Sequence, residues 1–396
     1  MSGPESLSFQ SWLVDLRRHF HQYPELAWKE EKTAGKIGEV LRQLGIEFQA
    51  GIGGTGIVAS LDASRPGPTL ALRADMDALP IEEKNDVPYR SRVPGVMHAC
   101  GHDGHVTMAL GTARYLLESG WKERGSGRLL FIFQPAEEGG AGARAMLESG
   151  IFDTEKVSAI FTGHMHPDLP SGQIGMAEKV CNAASDSFSI RLVGKGGHGA
   201  HPHLCIDPIV AGAYLVTQVQ SIIGRSVPPL ESVVVTIGKF QAGSARNVIP
   251  EEAVLEGTVR TLDRNVRELV LERLGEIIRG VETSHRVFSD FILGTGYPLL
   301  VNDANLVAYV LKTARESLGE SNVHIEEPRM GAEDFAYFAN RWPGVLVRVG
   351  CRKPGTEYEH GLHSPWFDFD EATLEYGVRL FAALLTGYDV IDTGSR

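Results

Sequence analysis

The stretch MHACGHDGHVTMALGTARYLL occupies residues 97–117 and joins a loop rich in histidine to an apolar segment. Val106–Leu117 is built from small and apolar side chains, which is typical of a buried helix packed on a sheet. On both sides of this stretch, apolar runs that predict strands alternate with segments that predict helices. This alternation indicates an α/β fold in which helices cover the faces of a sheet.

The α/β pattern occupies both ends of the chain. Residues 9–46 have apolar side chains at helical spacing and contain Pro24, so they predict a helical region with a break. The pattern stops near Asp186 and resumes after about residue 297, which predicts one domain interrupted by another. The other elements predicted for this domain are strands at 56–61, 69–73, 128–134, 157–162 and 344–349, and helices at 106–117, 140–149 and 305–318.

The interrupting segment has a different order of elements: strand, helix, strand, strand, helix, strand. This β-α-β-β-α-β order is typical of a small ferredoxin-like, two-layer domain. We therefore predict a discontinuous domain formed by 1–185 and 297–396, and an inserted domain formed by 186–296. The predicted strands of the insertion are 187–193, 232–241, 253–261 and 286–293, and its predicted helices are 207–223 and 265–283.

Composition and charge restrict the class of protein. The chain has 396 residues, 43% of them hydrophobic, and a net charge of −12, which is ordinary for a globular protein with a large core. No basic cluster is long enough to bind nucleic acid. Residues 1–10 lack the features of a signal peptide, and no apolar run is long enough for a membrane helix. The sparse cysteines favour a reducing cytoplasm; they are Cys100, Cys181, Cys205 and Cys351.

The loop at 97–105 is the strongest chemical signal. Cys100 and His102 lie two residues apart in a glycine-containing segment, where both side chains can face one cation. Thiolate and imidazole are typical ligands of borderline-soft divalent metals. A lone cysteine is more often a small buried hydrophobic residue, but the surrounding cluster favours a metal site. Not every histidine of the loop needs to bind the metal: either His98 or His105 can be a residue that only packs or supports the site.

Carboxylates follow two of the predicted strands. Asp75 and Asp77 come after an apolar strand, and their spacing turns both side chains in one direction. Turn formation is the alternative for such a pair. Glu137 and Glu138 follow the strand at 128–134, where one carboxylate can bind a metal and the other can take a proton from water. The alternative is a solvated helix N-terminus.

Two further histidines stand in suitable positions. His164 follows a predicted strand, which favours it over His166 as a ligand, and His363 lies in a short loop, which favours it over His360. Sites in open α/β sheets lie at the carboxyl ends of strands, although a lone histidine is more often structural.

The glycines of 51–56 match the dinucleotide-binding spacing, but an apolar β-like run follows them instead of a helix. A dehydrogenase is therefore not expected.

Taken together, these segments resemble the M20 metallopeptidase family, and within it the amidohydrolase branch of hippurate hydrolases, N-acyl-amino-acid deacylases and auxin-conjugate hydrolases. The resemblance covers about His19 to Glu371. Several ordered motifs at the proper separations make it specific. They are 21–26, 73–80, 98–105, 134–140, 163–167, 196–198, 247–250, 331–335 and 363–371.

The resemblance implies a zinc-peptidase-like catalytic domain with a mixed sheet and two divalent metal ions. It implies that Glu137 is the general base and that Asp77 orients a ligand imidazole as an outer partner. Elsewhere in the family the residue two before this Asp is a histidine ligand; here it is Asp75, so a ligand role for Asp75 stays open. The implied ligands are Cys100, His102, Glu138, His164 and His363.

For the inserted domain, the resemblance implies a lid or dimerisation domain and a homo-oligomer formed through it. His198 matches a histidine that steadies the oxyanion, and Asn247 and Arg260 match positions that contact substrate. Gly331 is expected at the substrate as well. The additional His166 in 163–167 departs from the family pattern, and we expect it to change only the surroundings of the ligands.

The function implied is metal-dependent hydrolysis of the amide bond of acetyl, benzoyl or similar N-acyl amino acids, which releases a carboxylic acid and an amino acid. Zn²⁺, Mn²⁺, Co²⁺ or Ni²⁺ suits the mixed ligands. A dipeptidase or aminopeptidase of the same family is the alternative. A catalytically silent binding protein on this fold is disfavoured, since Glu137 and the implied ligands are all present. No nucleic acid or membrane partner is expected.

Overall fold

The computed structural model describes residues 8–294, 296–357 and 359–388. Within them the chain forms two compact units. The first unit contains the described residues up to Cys181, Val301–Glu327 and the described residues from Tyr337 onwards. The second contains Asn182–Leu300 and also Pro328–Ala336. Ala183 anchors this last segment, because its amide donates to the carbonyl oxygens of Arg329 and Gly331 at 3.0 and 3.1 Å.

Helices account for much of both units. Short 3-10 turns lie at Pro202–Leu204 and Glu320–Asn322. The α-helices of the described chain are α1 (Phe9–Gln22), α2 (Glu31–Gln43), α3 (His102–Glu118), α4 (Trp121–Arg124), α5 (Gly142–Glu148), α6 (Pro208–Arg225), α7 (Arg264–His285), α8 (Ala304–Leu318), α9 (Ala336–Arg341) and α10 (Ala372–Gly387). Among the described residues, no helix combines the length and the apolar character needed to cross a membrane.

The strands are mostly short. Those numbered β1 to β8 are β1 (Glu47–Ile52), β2 (Gly56–Asp62), β3 (Arg65–Asp75), β4 (Ser126–Gln134), β5 (Val157–Pro170), β6 (Ile174–Met176), β7 (Val180–Asn182) and β8 (Ala184–Val193). The others are β9 (Gly197–His198), β10 (Val233–Ala242), β11 (Val248–Ile249), β12 (Glu252–Thr261), β13 (Phe288–Leu293), β14 (Leu300–Val301), β15 (Val323–Ile325) and β16 (Gly344–Arg352).

The first unit is built on an eight-stranded mixed sheet with the order β1-β2-β4-β3-β5-β16-β6-β15. Its centre is parallel: β3 pairs with β4 and with β5, and β5 pairs with β16. The outer pair β1–β2 is an antiparallel hairpin, so the glycines of 51–56 form its turn rather than a phosphate loop. The predicted fold class, an α/β domain with a large mixed sheet and packed helices, is confirmed.

Apolar periodicity explains why these segments pack. The 9–46 region forms two helices, α1 and α2, which bury Phe20, Ile37 and Leu41 in the main core together with Val106 and Leu110 of α3. The central strands are buried along most of their length, as expected of parallel strands covered by helices. The sequence analysis gave no prediction for α10 or β1, and the structure shows both.

The second unit contains a four-stranded antiparallel sheet with the order β10-β12-β8-β13. Helices α6 and α7 each begin after an aspartate whose carboxylate accepts two main-chain N–H groups, Asp207 for α6 and Asp263 for α7. Leu215 and Val219 of α6 and Leu274 of α7 bury their side chains against this sheet. Its chain order is β8-α6-β10-β12-α7-β13, which is the β-α-β-β-α-β plan.

A buried ion cluster fastens α1 in the first unit. The Arg17 guanidinium is fully buried and lies 2.8 Å from Asp103, 2.7 Å from Asp368 and 3.3 Å from Glu371. His21, one turn later, lies 2.8 Å from Asp103 through Nδ1 and 3.2 Å from Glu83 through Nε2. These ion pairs tie α1 to the start of α3, which is where the histidine-rich loop ends.

We expect Arg17→Met to lower the free energy of unfolding by about 3–5 kcal/mol, because it leaves buried carboxylates without their cation. Arg18→Met is the matched control. Arg18 also contacts Glu371, but its side chain is 39% exposed, so its loss should cost less than about 1 kcal/mol. Urea unfolding of both variants measures the difference. Equal losses would contradict the assignment of Arg17 as the anchor.

Candidate metal centre

The candidate site lies in the first unit, where the carboxyl ends of parallel strands meet. β3 ends at Asp75, which is in register with Gln134 at the end of β4. On the other side, Arg73 of β3 is in register with Thr162 of β5, two residues before His164. Asp75, the segment after Gln134 and His164 therefore lie side by side near the carboxyl ends of the parallel strands. The predicted strand end at 162 is wrong, because β5 continues through His164 to Pro170 and pairs with β16 there.

The loop before α3 presents Cys100 and His102 at this edge. Gly101 between them has a left-handed φ of 86°, and a Cβ atom there would lie 2.7 Å from Cγ of Met165. Only glycine accommodates both the backbone angle and the contact. Helix α3 begins at His102, and the side chains of both Cys100 and His102 are buried.

Asp77 connects the loop to the end of β4. Its carbonyl oxygen accepts a hydrogen bond from Nδ1 of His102 at 2.8 Å, and its Oδ1 lies 3.4 Å from the same nitrogen. The two carboxylate oxygens accept the main-chain N–H groups of Glu137 and Glu138, both at 3.0 Å. Because Nδ1 donates its proton to Asp77, Nε2 of His102 is the nitrogen that can bind an ion once it gives up its own proton.

Asp75 is engaged by protein cations and donors. Its carboxylate lies 2.6 Å from Nη1 of Arg73 and 2.5 Å from Nδ1 of His105, while Nε2 of His102 is 3.8 Å away. Nε2 of His105 in turn accepts the N–H of Met165 at 2.8 Å. Both ring nitrogens of His105 are therefore in use. This arrangement favours a supporting role for Asp75 and His105 over a ligand role.

His164 points its free nitrogen at Cys100. Nδ1 donates to the carbonyl oxygen of Met165 at 2.8 Å, and Nε2 lies 3.6 Å from Sγ of Cys100. The neighbouring His166 is directed elsewhere. Its Nε2 lies 2.9 Å from Glu326, whose other oxygen is 2.8 Å from Arg348. His166 is thus part of a separate ion cluster.

Glu138 and His363 complete the group. Nε2 of His363 lies 3.1 Å from Oε1 of Glu138. His363 has a left-handed φ of 65°, and its main-chain N–H donates to the carbonyl oxygen of Ala99 at 2.8 Å, which holds it beside the Cys100 loop. Its side chain is 52% exposed, whereas that of Glu138 is largely buried. His360 instead stacks on Trp366.

The ligand atoms form overlapping triads. Cys100, His102 and His164 lie within 4.8 Å of one another, and so do Cys100, Glu138 and His363. The two triads share Cys100. His102 also forms a triad with Glu137 and Glu138, and another with Asp75 and His105. The structure thus brings the five predicted ligands together, with the predicted base Glu137 beside them.

The chemistry of these groups fits a divalent ion. Nε2 of His102 is buried and has no hydrogen-bond partner, which is costly unless a cation or water satisfies it. Burial, with neighbouring Glu138 and Glu137, raises the pKa of the Cys100 thiol well above its usual value. A nearby cation would reverse this effect, because a metal binds the thiolate. Nitrogen, sulfur and carboxylate donors together suit Zn²⁺ and related ions.

The pKa values of the His102 and His164 imidazoles are shifted in opposite directions. Burial and the adjacent His105 lower the pKa of His164 to about 3, so its ring is neutral. Burial also opposes protonation of His102, but Asp75, Asp77 and Glu138 outweigh it and raise its pKa to about 10. An ion bound at His102 would replace that proton as the positive charge among these carboxylates.

The predicted substrate residues belong to the second unit. His198 on β9 is exposed, and its Nδ1 accepts the N–H of Ala200 at 3.1 Å. Asn247 precedes β11, which pairs with β9, and its carbonyl oxygen accepts the N–H of Gly199 at 2.9 Å. Arg260 lies on β12, and the carbonyl oxygen of Gly331 accepts hydrogen bonds from Asn182 and Ala183.

The sequence analysis missed three supporting residues of the first unit. Arg73 neutralises Asp75, Arg17 holds Asp103 next to the predicted ligand His102, and Glu30 accepts the N–H of Ala136 just before Glu137. Arg73 stands inside a quoted motif and could have been noticed from its spacing to Asp75. Arg17 contacts Asp103 and Glu30 contacts Ala136 over separations of 86 and 106 residues, and no local sequence pattern predicts such contacts.

A zinc-peptidase-like sheet with a cluster of Cys, His and Glu at its strand ends defines a metal-dependent hydrolase. Residues 71–387 match the peptidase family M20/M25/M40. The chain belongs to this family, and the predicted class, a metal-dependent amidohydrolase, is confirmed.

Two curated relatives are similar over nearly the whole chain. The chain is 39% identical over 374 residues to an N-acetyl-L-cysteine deacetylase of Bacillus subtilis strain 168, covering 94% of this chain and 87% of that protein. It is 38% identical over 385 residues to thermostable carboxypeptidase 1 of Saccharolobus solfataricus, covering 95% of each.

A solved structure shows the same fold. The YXEP protein of Bacillus subtilis, described as a dinuclear metal-binding peptidase of the M20 family, superimposes with a TM-score of 0.82 at 35% identity. The match covers 96% of this chain and 99% of that one.

We expect Cys100→Ala to lower metal affinity by more than about tenfold, because even the loss of an outer partner of a ligand costs about 10–100-fold. The measurement is metal content after dialysis against a graded chelator. Cys205→Ala is the control, since this cysteine is also buried but belongs to the second unit. Equal metal retention in both variants would remove Cys100 from the ligand set.

Proposed function

We propose that this enzyme hydrolyses the amide bond of N-acyl amino acids, such as acetyl or benzoyl derivatives, with two divalent ions per chain. The observation that carries the proposal is the pair of ligand triads that share Cys100, with Glu137 adjacent to both. The similarity to an N-acetyl-L-cysteine deacetylase supports the acyl substrate, and the description of the YXEP protein supports two ions. We assign Cys100, His102, Glu138, His164 and His363 as the ligands.

In this proposal Glu137 moves the proton. Divalent ions at the site would polarise the scissile carbonyl group and make water a stronger acid. Glu137 then takes a proton from the attacking water and later delivers it to the nitrogen of the leaving amino acid. Asp77 supports both tasks, because it holds the main-chain amides of Glu137 and Glu138 and the imidazole of His102.

Residues of the second unit are assigned from the resemblance. We propose that His198 stabilises the oxyanion and that Asn247, Arg260 and Gly331 bind the substrate. The inserted segment would act as a lid or dimerisation domain. β10 is an edge strand of its sheet, and Phe240 on it is exposed, which favours pairing of two chains through this unit. Analytical ultracentrifugation of the purified chain tests the pairing.

A peptidase activity is the second candidate, and the similarity to a carboxypeptidase favours it. The test is a panel of substrates given to metal-free protein reconstituted with Zn²⁺, Mn²⁺, Co²⁺ or Ni²⁺. We expect release of the free amino acid from N-acetyl amino acids, hippurate or auxin conjugates. Cleavage of dipeptides or of longer peptides from the C-terminus, with no acyl substrate used, would replace the proposal with the second candidate.

Substitution of each of the two adjacent glutamates in turn distinguishes the general base from the metal ligand. We expect Glu137→Gln to keep its metal and to lower kcat by about 10²- to 10⁴-fold, since a general base is lost. Glu138→Gln should lose metal as well, because it removes a charged ligand. Metal analysis and steady-state kinetics on the best acyl substrate provide the readout. A kcat close to wild type for Glu137→Gln would contradict its role.

A further inference from the structure

The loop that carries Glu137 and Glu138 is held by two buried carboxylates. Three consecutive main-chain N–H groups of this loop donate to them. The N–H of Ala136 donates to Oε1 of Glu30 at 2.9 Å, and the next two donate to the oxygens of Asp77. Asp77 lies at the metal centre, whereas Glu30 approaches the loop from the residue that precedes α2.

Glu30 is an unusual residue for a purely structural position. It is fully buried, and its partners are the N–H of Ala136, the N–H of Trp28 at 3.0 Å and the hydroxyl of Thr55 at 2.6 Å. None of these partners carries a positive charge. Burial of a carboxylate without a cation is unfavourable, and here only hydrogen bonds offset that cost. Its presence therefore points to a task at the loop.

The backbone of the loop needs such an acceptor. Ala136 has a left-handed φ of 52°, which is unfavourable for a residue with a Cβ atom. The loop is also tightly enclosed: a Cβ atom on Gly140 would lie 2.6 Å from Cβ of Ala136 and 2.8 Å from Nε1 of Trp28. The surroundings and the carboxylate of Glu30 together fix the direction of the Ala136 amide, and with it the start of the Glu137 side chain.

We propose that Glu30 is a positioning residue for catalysis, which holds Glu137 at the place where it can take a proton from water. This inference rests on the proposed function of Glu137 as the general base. A base must lie within hydrogen-bond reach of the proton that it removes. A displacement of about 1 Å can cost about a hundredfold in rate. Glu30 acts through the Ala136 amide and does not itself touch the substrate.

Glu30→Met and Glu30→Gln, measured in the metal-loaded enzyme, separate this role from packing. Methionine has a similar length but accepts no strong hydrogen bond, so we expect kcat to fall by about a hundredfold with KM and metal content unchanged. The glutamine oxygen can still accept both N–H groups, and the Thr55 hydroxyl can accept from the side-chain amide. Glu30→Gln should therefore keep most of the wild-type kcat. Glu31→Gln, at the exposed neighbouring residue, is the matched control.

Hydrogen exchange provides a readout that does not depend on activity. We expect the amides of residues 136–138 to exchange faster in Glu30→Met, and at the wild-type rate in Glu30→Gln and Glu31→Gln. A wild-type kcat in Glu30→Met would overturn the inference, and so would a loss of kcat without faster exchange. An equal loss in the glutamine variant would also overturn it.

Two further measurements apply if Glu30→Met does not fold or if the enzyme has no activity on N-acyl amino acids. If Glu30→Met does not fold, Thr55→Val removes one of the hydrogen bonds that fix the carboxylate; faster exchange and a lower kcat support the proposal, and no change in either overturns it. If the wild-type enzyme hydrolyses no N-acyl amino acid, the proposed function fails. Hydrogen exchange at the amides of residues 136–138 still tests whether Glu30 positions this loop, because that measurement needs no substrate.

Discussion

The carboxylate and carbonyl group of Asp77 are the interaction on which the candidate site depends. One residue receives the His102 imidazole at its main-chain oxygen and the amides of Glu137 and Glu138 at its side chain. It thereby joins three segments that are distant in sequence: the end of β3, the loop after β4 and the start of α3. Because His102, Glu137 and Glu138 share this one support, Asp77 fixes their relative positions.

Two buried ion pairs lie near the segment that Asp77 supports. Asp75 is neutralised by Arg73 and by a hydrogen bond from His105, and its carboxylate lies 3.8 Å from Nε2 of His102. On the other side of the loop, Arg17 holds Asp103, the residue next to His102. Buried charges of this kind stabilise a fold only when they are paired. Here the pairing also fixes Asp103 and His105, which closely follow Cys100 and His102 in the sequence.

The fold and the principal cluster could be predicted from sequence because both have local signals. Apolar runs lead into the segments that carry Asp77, Glu138 and His164, and parallel strands bring such segments together. Asp77 and Glu138 follow the ends of β3 and β4, whereas His164 lies inside β5. The preference for His164 over His166 and for His363 over His360 agrees with the positions of these side chains beside Cys100 and Glu138. What could not be predicted depends on long-range contacts. Glu30 meets Ala136 across 106 residues, and nothing in the sequence distinguishes it from the adjacent Glu31.

The two triads differ in their access to solvent, and this difference bears on the metal. Cys100 and His102 are buried and His164 is half-buried, so an ion held there would exchange more slowly than one at an open position. The second triad ends in His363, which is half exposed and comes from a loop with a left-handed backbone. An ion held by that triad would exchange more readily. Donor type alone does not select among Zn²⁺, Mn²⁺, Co²⁺ and Ni²⁺, so an ion at the more exposed triad would follow the metals available to the protein.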